Sequence, residues 1–289
     1  MREVRASLAW TLVLAVAAEF LLVRLLSRVG VYIPKAGPVL TLYEGSVVLG
    51  EVSFNLSLGL AILVLILAVW EQRPVALALL LVLSTLWMGP VLPIFGLLAG
   101  LLLLGARGLH QARPALRPGL GLLLLAQAMH ILAIGLQRFW VESGLPAEAP
   151  GSIWLLRGAE LLAALAPLAM AVGQKPWRRP EARVLGAAGA ATMALGAALW
   201  LQPDLTGVLA MFSLGFSLSW PAPLYALALG AAVLACSSET GAHRFGLILL
   251  FLAGLGLNVN QQQVVIMAGW ALLGLPGVRG EEERLRDAV

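Results

Sequence analysis

Long apolar runs that neither alternate nor carry charge constrain this chain more than any other feature. The run from Gly119 to Gln137 contains no Asp, Glu, Lys or Arg. A helix needs roughly 20 predominantly apolar residues to cross the hydrocarbon of a bilayer. Only helices and closed barrels satisfy their backbone groups there, and barrel strands alternate apolar with polar residues. Leu120 to Leu125 shows no alternation, so the run predicts a membrane helix. Such runs recur along the chain: 60% of its 289 residues are hydrophobic and 12% charged, with a mean hydropathy of +0.92. Soluble domains carry about 25% charged residues. The expected fold is an all-α polytopic integral membrane protein.

Spans are expected at about Leu8 to Leu26, Ser46 to Trp70, Gly119 to Gln137, Ile153 to Val172 and Val184 to Leu201. Residues Val31 to Glu44, with Pro34, Gly37 and Pro38, are expected to form a loop. The stretch from Val75 to Ala106 is too long for one untilted helix and is broken by Gly89, Pro90 and Pro93. Gly207 to Cys236 is broken in the same way by Pro221 and Pro223, and each stretch is expected to form two short helices. From Phe245 to Leu275 the chain is apolar around a polar run, Asn258, Asn260, Gln261, Gln262 and Gln263. This run either turns the chain between two short helices or lies inside a tenth span that continues as an interfacial helix. The span count is ten or eleven.

Met1 to Arg5 and the following apolar run resemble a signal peptide, but Glu19 and Arg24 interrupt the run and no small-residue cleavage site follows. A retained first helix is expected. Cys236 is the single cysteine and has no internal disulfide partner. The basic pI of about 9.8 comes from short Arg-rich loops, which report orientation and not nucleic-acid binding. Arg2 and Arg5, Arg107 to Arg117 and Lys175 to Arg183 fall on one side of a ten-span protein, with Glu142 and Glu148 on the other. The amino terminus is therefore expected in the cytoplasm and the protein in the inner membrane.

An internal correspondence is visible. Val75, Leu81, Ser84 and Trp87 align with Val208, Leu214, Ser217 and Trp220, and each tryptophan is followed by two prolines. Arg117, Gly119, Leu120 and Ala126 match Arg244, Gly246, Leu247 and Ala253, and Ala18-Glu19 matches Ala159-Glu160. The expected division is a first five-helix unit at 1–140, a second and inverted one at 150–262, and an apolar segment with a charged tail at 263–289. The Arg-rich loop at 107–117 and its Arg-poor counterpart at 237–244 would then lie on opposite sides, with His110 and His243 apart.

The tract from Pro223 to Gly230, the loop residue Glu239, and the glycine-framed run from Gly246 to Gly254 resemble the end of the second half of drug/metabolite transporter superfamily proteins. The first half echoes this from Pro93 to Leu125. The resemblance implies ten helices in two inverted five-helix repeats and export or exchange of small metabolites. Val264 to Leu275 has no place in that ten-helix plan.

Ionisable and amide groups inside a membrane need partners or a cavity. Glu19 lies within the first span. Glu51 and Asn55 are four residues apart on one helix face, suited to a cavity wall or to helix–helix hydrogen bonding. Arg157 and Glu160 are three apart and can pair within one helix. His130 lies mid-span, with Gln127 three residues before it. A proton relay, a quinone hydrogen bond and a satisfied interhelical histidine are all open readings. Metal or haem ligation is not expected, because the other histidines lie in loops. Asn258 and Asn260 either line a polar site or form a surface turn. Trp87, Pro90, Pro93, Trp220, Pro221 and Pro223 mark turns suited to gating.

Two functions follow. The first is a small-solute transporter with a central polar cavity and no cofactor, acting on a small polar or amphipathic solute, alone or as a homodimer. The second is a non-catalytic or quinone-binding membrane subunit of a larger redox complex. No nucleophile or metal set for an enzyme is visible in the sequence.

Overall fold

The computed structural model describes residues 8, 11, 14, 15, 37–71, 92–145, 151–174, 179, 180, 182–187, 189, 190, 194, 241–253 and 259–275. Among these residues all regular structure is helical, with no strand. Six helices follow in chain order: α1 (Pro38–Glu71), α2 (Leu92–Gln111), α3 (Arg117–Glu142), α4 (Ser152–Gly173), α5 (Gly241–Ala253) and α6 (Val259–Leu273). Among the described residues three stretches are long and apolar enough to cross a membrane: Pro38–Ala68, Arg117–Glu142 and Ser152–Gly173.

Three boundaries differ from the sequence expectation, each for a local reason. The loop expected up to Glu44 ends at Gly37, because Gly37 adopts φ +55° and its carbonyl accepts from Leu40 N at 3.1 Å. Pro38 then sits at the first helical position, where its fixed φ suits a helix and its missing N–H costs nothing. The basic loop expected at 107–118 shrinks to Ala112–Leu116. Here Arg117 donates from Nε to Ala112 O at 3.0 Å and from Nη2 to His110 O at 2.8 Å, holding the last carbonyls of α2. Third, Asn260, Gln261, Gln262 and Gln263, offered as a turn between two short helices, are helical within α6.

α2 and α3 pack antiparallel, with Gly105 against Leu124 and Gly135 against Ile94. α3 and α4 form the most extensive helix pair. Gly119 meets Ala166 and Met170, Gly158 meets Met129, and Ser152 Oγ donates to Gln137 Oε1 at 3.3 Å where α4 begins. α5 and α6 close into an antiparallel hairpin at two glycines. A methyl group added to Gly246 would stand 2.7 Å from Gly269 O, and one added to Gly269 would stand 3.0 Å from Gly246 O.

The apolar segment without a place in the ten-helix plan is the centre of the described bundle. α6 packs against α1, α2 and α5. Every residue from Val264 to Ala268 and from Trp270 to Leu273 is at most 3% exposed. Around it stand Ala61, Val64, Leu65 and Ala68 of α1, Leu101 and Leu104 of α2, and Leu247, Leu249 and Leu250 of α5.

The helix ends gather charge at one end of the bundle. Arg107 Nε donates to Gly274 O at 3.4 Å, and His243 Nε2 lies 2.7 Å from Leu275 O. Gly173 lies against the backbone of Ala115. The loop at 107–117 and the end of α4 at Gly173 therefore share this basic end. His243 and Arg244 share it too, which corrects the expectation that His110 and His243 lie on opposite sides. α3 and α5 both start there and run parallel, so the matched segments from Arg117 and from Arg244 are not inverted relative to each other.

The close crossing makes a stability prediction. Gly246→Val should lower stability in detergent by about 1–3 kcal/mol, the usual cost of overpacking. Gly121→Val, where nothing lies within 4 Å, should leave the thermal unfolding midpoint nearly unchanged.

Candidate functional site

The described parts of α5 and α6 pair antiparallel beside the basic end, and at ~1.5 Å per residue Gln263 lies roughly 15 Å along α6 from its last residue, Leu273.

A buried side-chain hydrogen bond ties the hairpin to α3. Trp270 Nε1 donates to Gln127 Oε1 at 2.7 Å, and both side chains are buried. The indole lies over Gly108 of α2, where an added methyl would stand 2.7 Å from the ring. Gly108 thus makes room for the tryptophan, and the tryptophan's single N–H finds its acceptor on α3. An indole buried without an acceptor would leave that donor unpaired.

Beyond this bond, farther from the basic end, lie two buried polar groups without partners. His130 is 8% exposed and Gln263 is 4% exposed. His130 Nε2 and Gln263 Oε1 have no hydrogen-bond partner. His130 follows Gln127 by three residues on α3, and Gln263 precedes Trp270 by seven on α6, so each shares a helix face with one member of the bond. Both also lie roughly 15–20 Å from the basic end by helix rise. Each thus lies farther from the basic end than the bonded residue of its own helix.

The other expected residues fall elsewhere. Glu51 and Asn55 share a face of α1, but both are exposed, and Asn55 Nδ2 donates to Glu51 O at 3.0 Å. Arg157 is half-buried in α4, and Glu160 belongs to the same helix. Asn260 lies in the first turn of α6. Pro93 is the second residue of α2, a position that tolerates proline. Glu19, Asn258, Trp87, Pro90, Trp220, Pro221 and Pro223 lie outside the described residues. Among the described residues no three His, Cys, Asp or Glu groups converge as a metal set.

Trp270 and Gln263 were not distinguishable as site residues in the sequence. Trp270 sits inside an apolar run and reads as core; only the acceptor on α3 gives it a role. Gln263 was one of five amides, and its burial singles it out.

Gln127→Leu should strand the Trp270 donor in an apolar core and cost about 1–3 kcal/mol, the penalty of an unsatisfied buried group. Adding Trp270→Phe to that variant should recover part of the loss, as read by a double-mutant cycle of thermal unfolding in detergent. Comparison with protein-family models, with curated proteins and with solved structures finds no match to this chain.

Proposed function

We propose that this chain is a multi-pass inner-membrane protein of about ten helices, amino terminus cytoplasmic, that moves a small polar or amphipathic solute. The observation that carries this reading is that two buried polar atoms within apolar helices, His130 Nε2 and Gln263 Oε1, have no hydrogen-bond partner. Polar groups inside membrane helices face one another or a water-filled cavity and mark solute pathways, and transporter sites lie near the midplane. The gathering of Arg107, Arg113, Arg117, Arg179, Arg183 and Arg244 toward one end supports placing that end in the cytoplasm.

In this reading Gln127, His130, Gln263 and the tip residues Asn258 and Asn260 contact the solute. Glu19 and the Arg157–Glu160 pair serve the pathway. The turns at Trp87, Pro90 and Pro93 and at Trp220, Pro221 and Pro223 act as gates.

One observation favours a second reading, a membrane subunit or homodimer. Glu51 and Asn55 face outward on α1 beside exposed Val48, Val52 and Leu56, and a carboxylate facing lipid is costly unless a neighbour covers it. A quinone near His130 would belong to that arrangement.

Purification and reconstitution decide between them. Transport predicts that the chain purifies alone or as a homodimer, and that liposomes containing it take up solute, with uptake falling about tenfold in His130→Leu, the equivalent of one lost hydrogen bond. Isolation only together with cofactor-bearing subunits, and liposomes that take up no solute, would overturn it.

A further inference from the structure

We infer that the basic end of the bundle binds the phosphate of an anionic phospholipid, held by Arg113 of the α2–α3 turn and Arg244 of α5 with Arg107 and Arg117 beside them. The inference rests on the membrane placement proposed above and not on transport.

Four exposed arginines are brought to this end by contacts of the segments that carry them. Arg107 Nε reaches Gly274 O and His243 Nε2 lies against Leu275 O, carbonyls of adjacent residues. Those two contacts bring α2 and the start of α5 to within roughly 12 Å of each other. Arg244 follows His243 and is exposed where His243 is buried. On the other side, Arg117 folds back on Ala112 O and His110 O, which fixes the turn Ala112–Leu116 that carries Arg113. Gly173 of α4 lies against Ala115 and backs the same turn. The arginines therefore stand on anchored segments, so little backbone ordering is needed when an anion binds.

Charge and donor geometry fit phosphate. The sequence from Gln72 to Val141 contains no Asp or Glu, so the α2–α3 hairpin brings Arg107, Arg113 and Arg117 to this end and no carboxylate. A guanidinium presents five N–H donors in a fork that engages phosphate oxygens two at a time. Arg107 uses one donor on Gly274 O, and Arg117 uses two on Ala112 O and His110 O. These acceptors are neutral carbonyls, so the bonds leave both side chains their charge.

Depth selects lipid as the source of the phosphate. α3 has 26 residues and is ~39 Å long, against ~30 Å of hydrocarbon. Centred in the bilayer, it carries Arg117 roughly 4–5 Å beyond the hydrocarbon, in the headgroup layer. Phospholipid phosphates are concentrated there, and arginines beside an anionic membrane surface are attracted to it.

The test uses the full chain, delipidated in a neutral detergent and titrated with phosphatidylglycerol or phosphatidylcholine, with bound lipid counted by native mass spectrometry. Phosphatidylglycerol is expected to bind about tenfold more tightly. Arg113→Gln and Arg244→Gln should each weaken it about fivefold, the worth of one arginine at an anionic surface. Arg138→Gln, near the far end of α3, should change nothing, and inorganic phosphate should displace none of the bound lipid. Should a variant not fold, the unaltered chain reads the same contact. Raising salt from about 0.1 M to about 1 M shortens the screening length from ~10 Å to ~3 Å and should weaken binding of phosphatidylglycerol but not of phosphatidylcholine. Equal affinity for the two lipids, an Arg138→Gln loss matching those at Arg113 and Arg244, binding indifferent to salt, or displacement by inorganic phosphate each overturns the inference. Release of the chain from membranes by alkaline carbonate overturns the membrane placement and the inference with it, and no arm depends on solute uptake.

Discussion

The described structure depends on burying α6 from Gln263 to Leu273 while pairing the carbonyls that follow it. A helix surrounded by apolar side chains cannot leave its last carbonyls to water. Arg107 and His243 reach Gly274 O and Leu275 O from two different helices. Both are donors at a helix C-terminus, where cationic and N–H groups are favoured. Arg117 does the same for the end of α2. The cations that loop charge assigns to orientation therefore also close the bundle, so positive charge and helix termination gather at one end.

A second closure lies deeper in the bundle. Trp270 reaches from α6 to Gln127 of α3, while His130 and Gln263 are buried with one polar atom each left without a hydrogen-bond partner. Unpaired buried groups in a native fold call for a cause, such as a functional role or a bound molecule. Solute binding is the cause proposed above.

Much of the architecture is legible in the residues because membrane helices depend on a coarse property, sustained apolarity over a fixed length. The helices at Arg117–Glu142 and Ser152–Gly173 fall where the apolar runs predict them. Helix ends were less legible. Pro38 and Arg117 look like loop residues, yet one begins a helix and the other caps its predecessor while starting the next. His130 and Gln127 were visible as polar residues in an apolar span. Glu51 and Asn55 were equally visible, but their outward direction depends on which face of α1 packs against α6, and a helix apolar all round does not reveal that face.

Composition and run length by themselves determined that the chain forms apolar helices and that His130 is a polar group within one of them. Helix rise and side-chain periodicity are local, so sequence suffices for them. Tertiary structure alone decided that the segment after Gln262 is the centre of the bundle and not an appendage, that His243 joins the basic end, and that Trp270 meets Gln127 across 143 positions of chain. Those facts are pairings between distant segments. They are set by which small residues let helices approach and which carbonyls need a donor, and no single run of sequence contains both halves of such a pair.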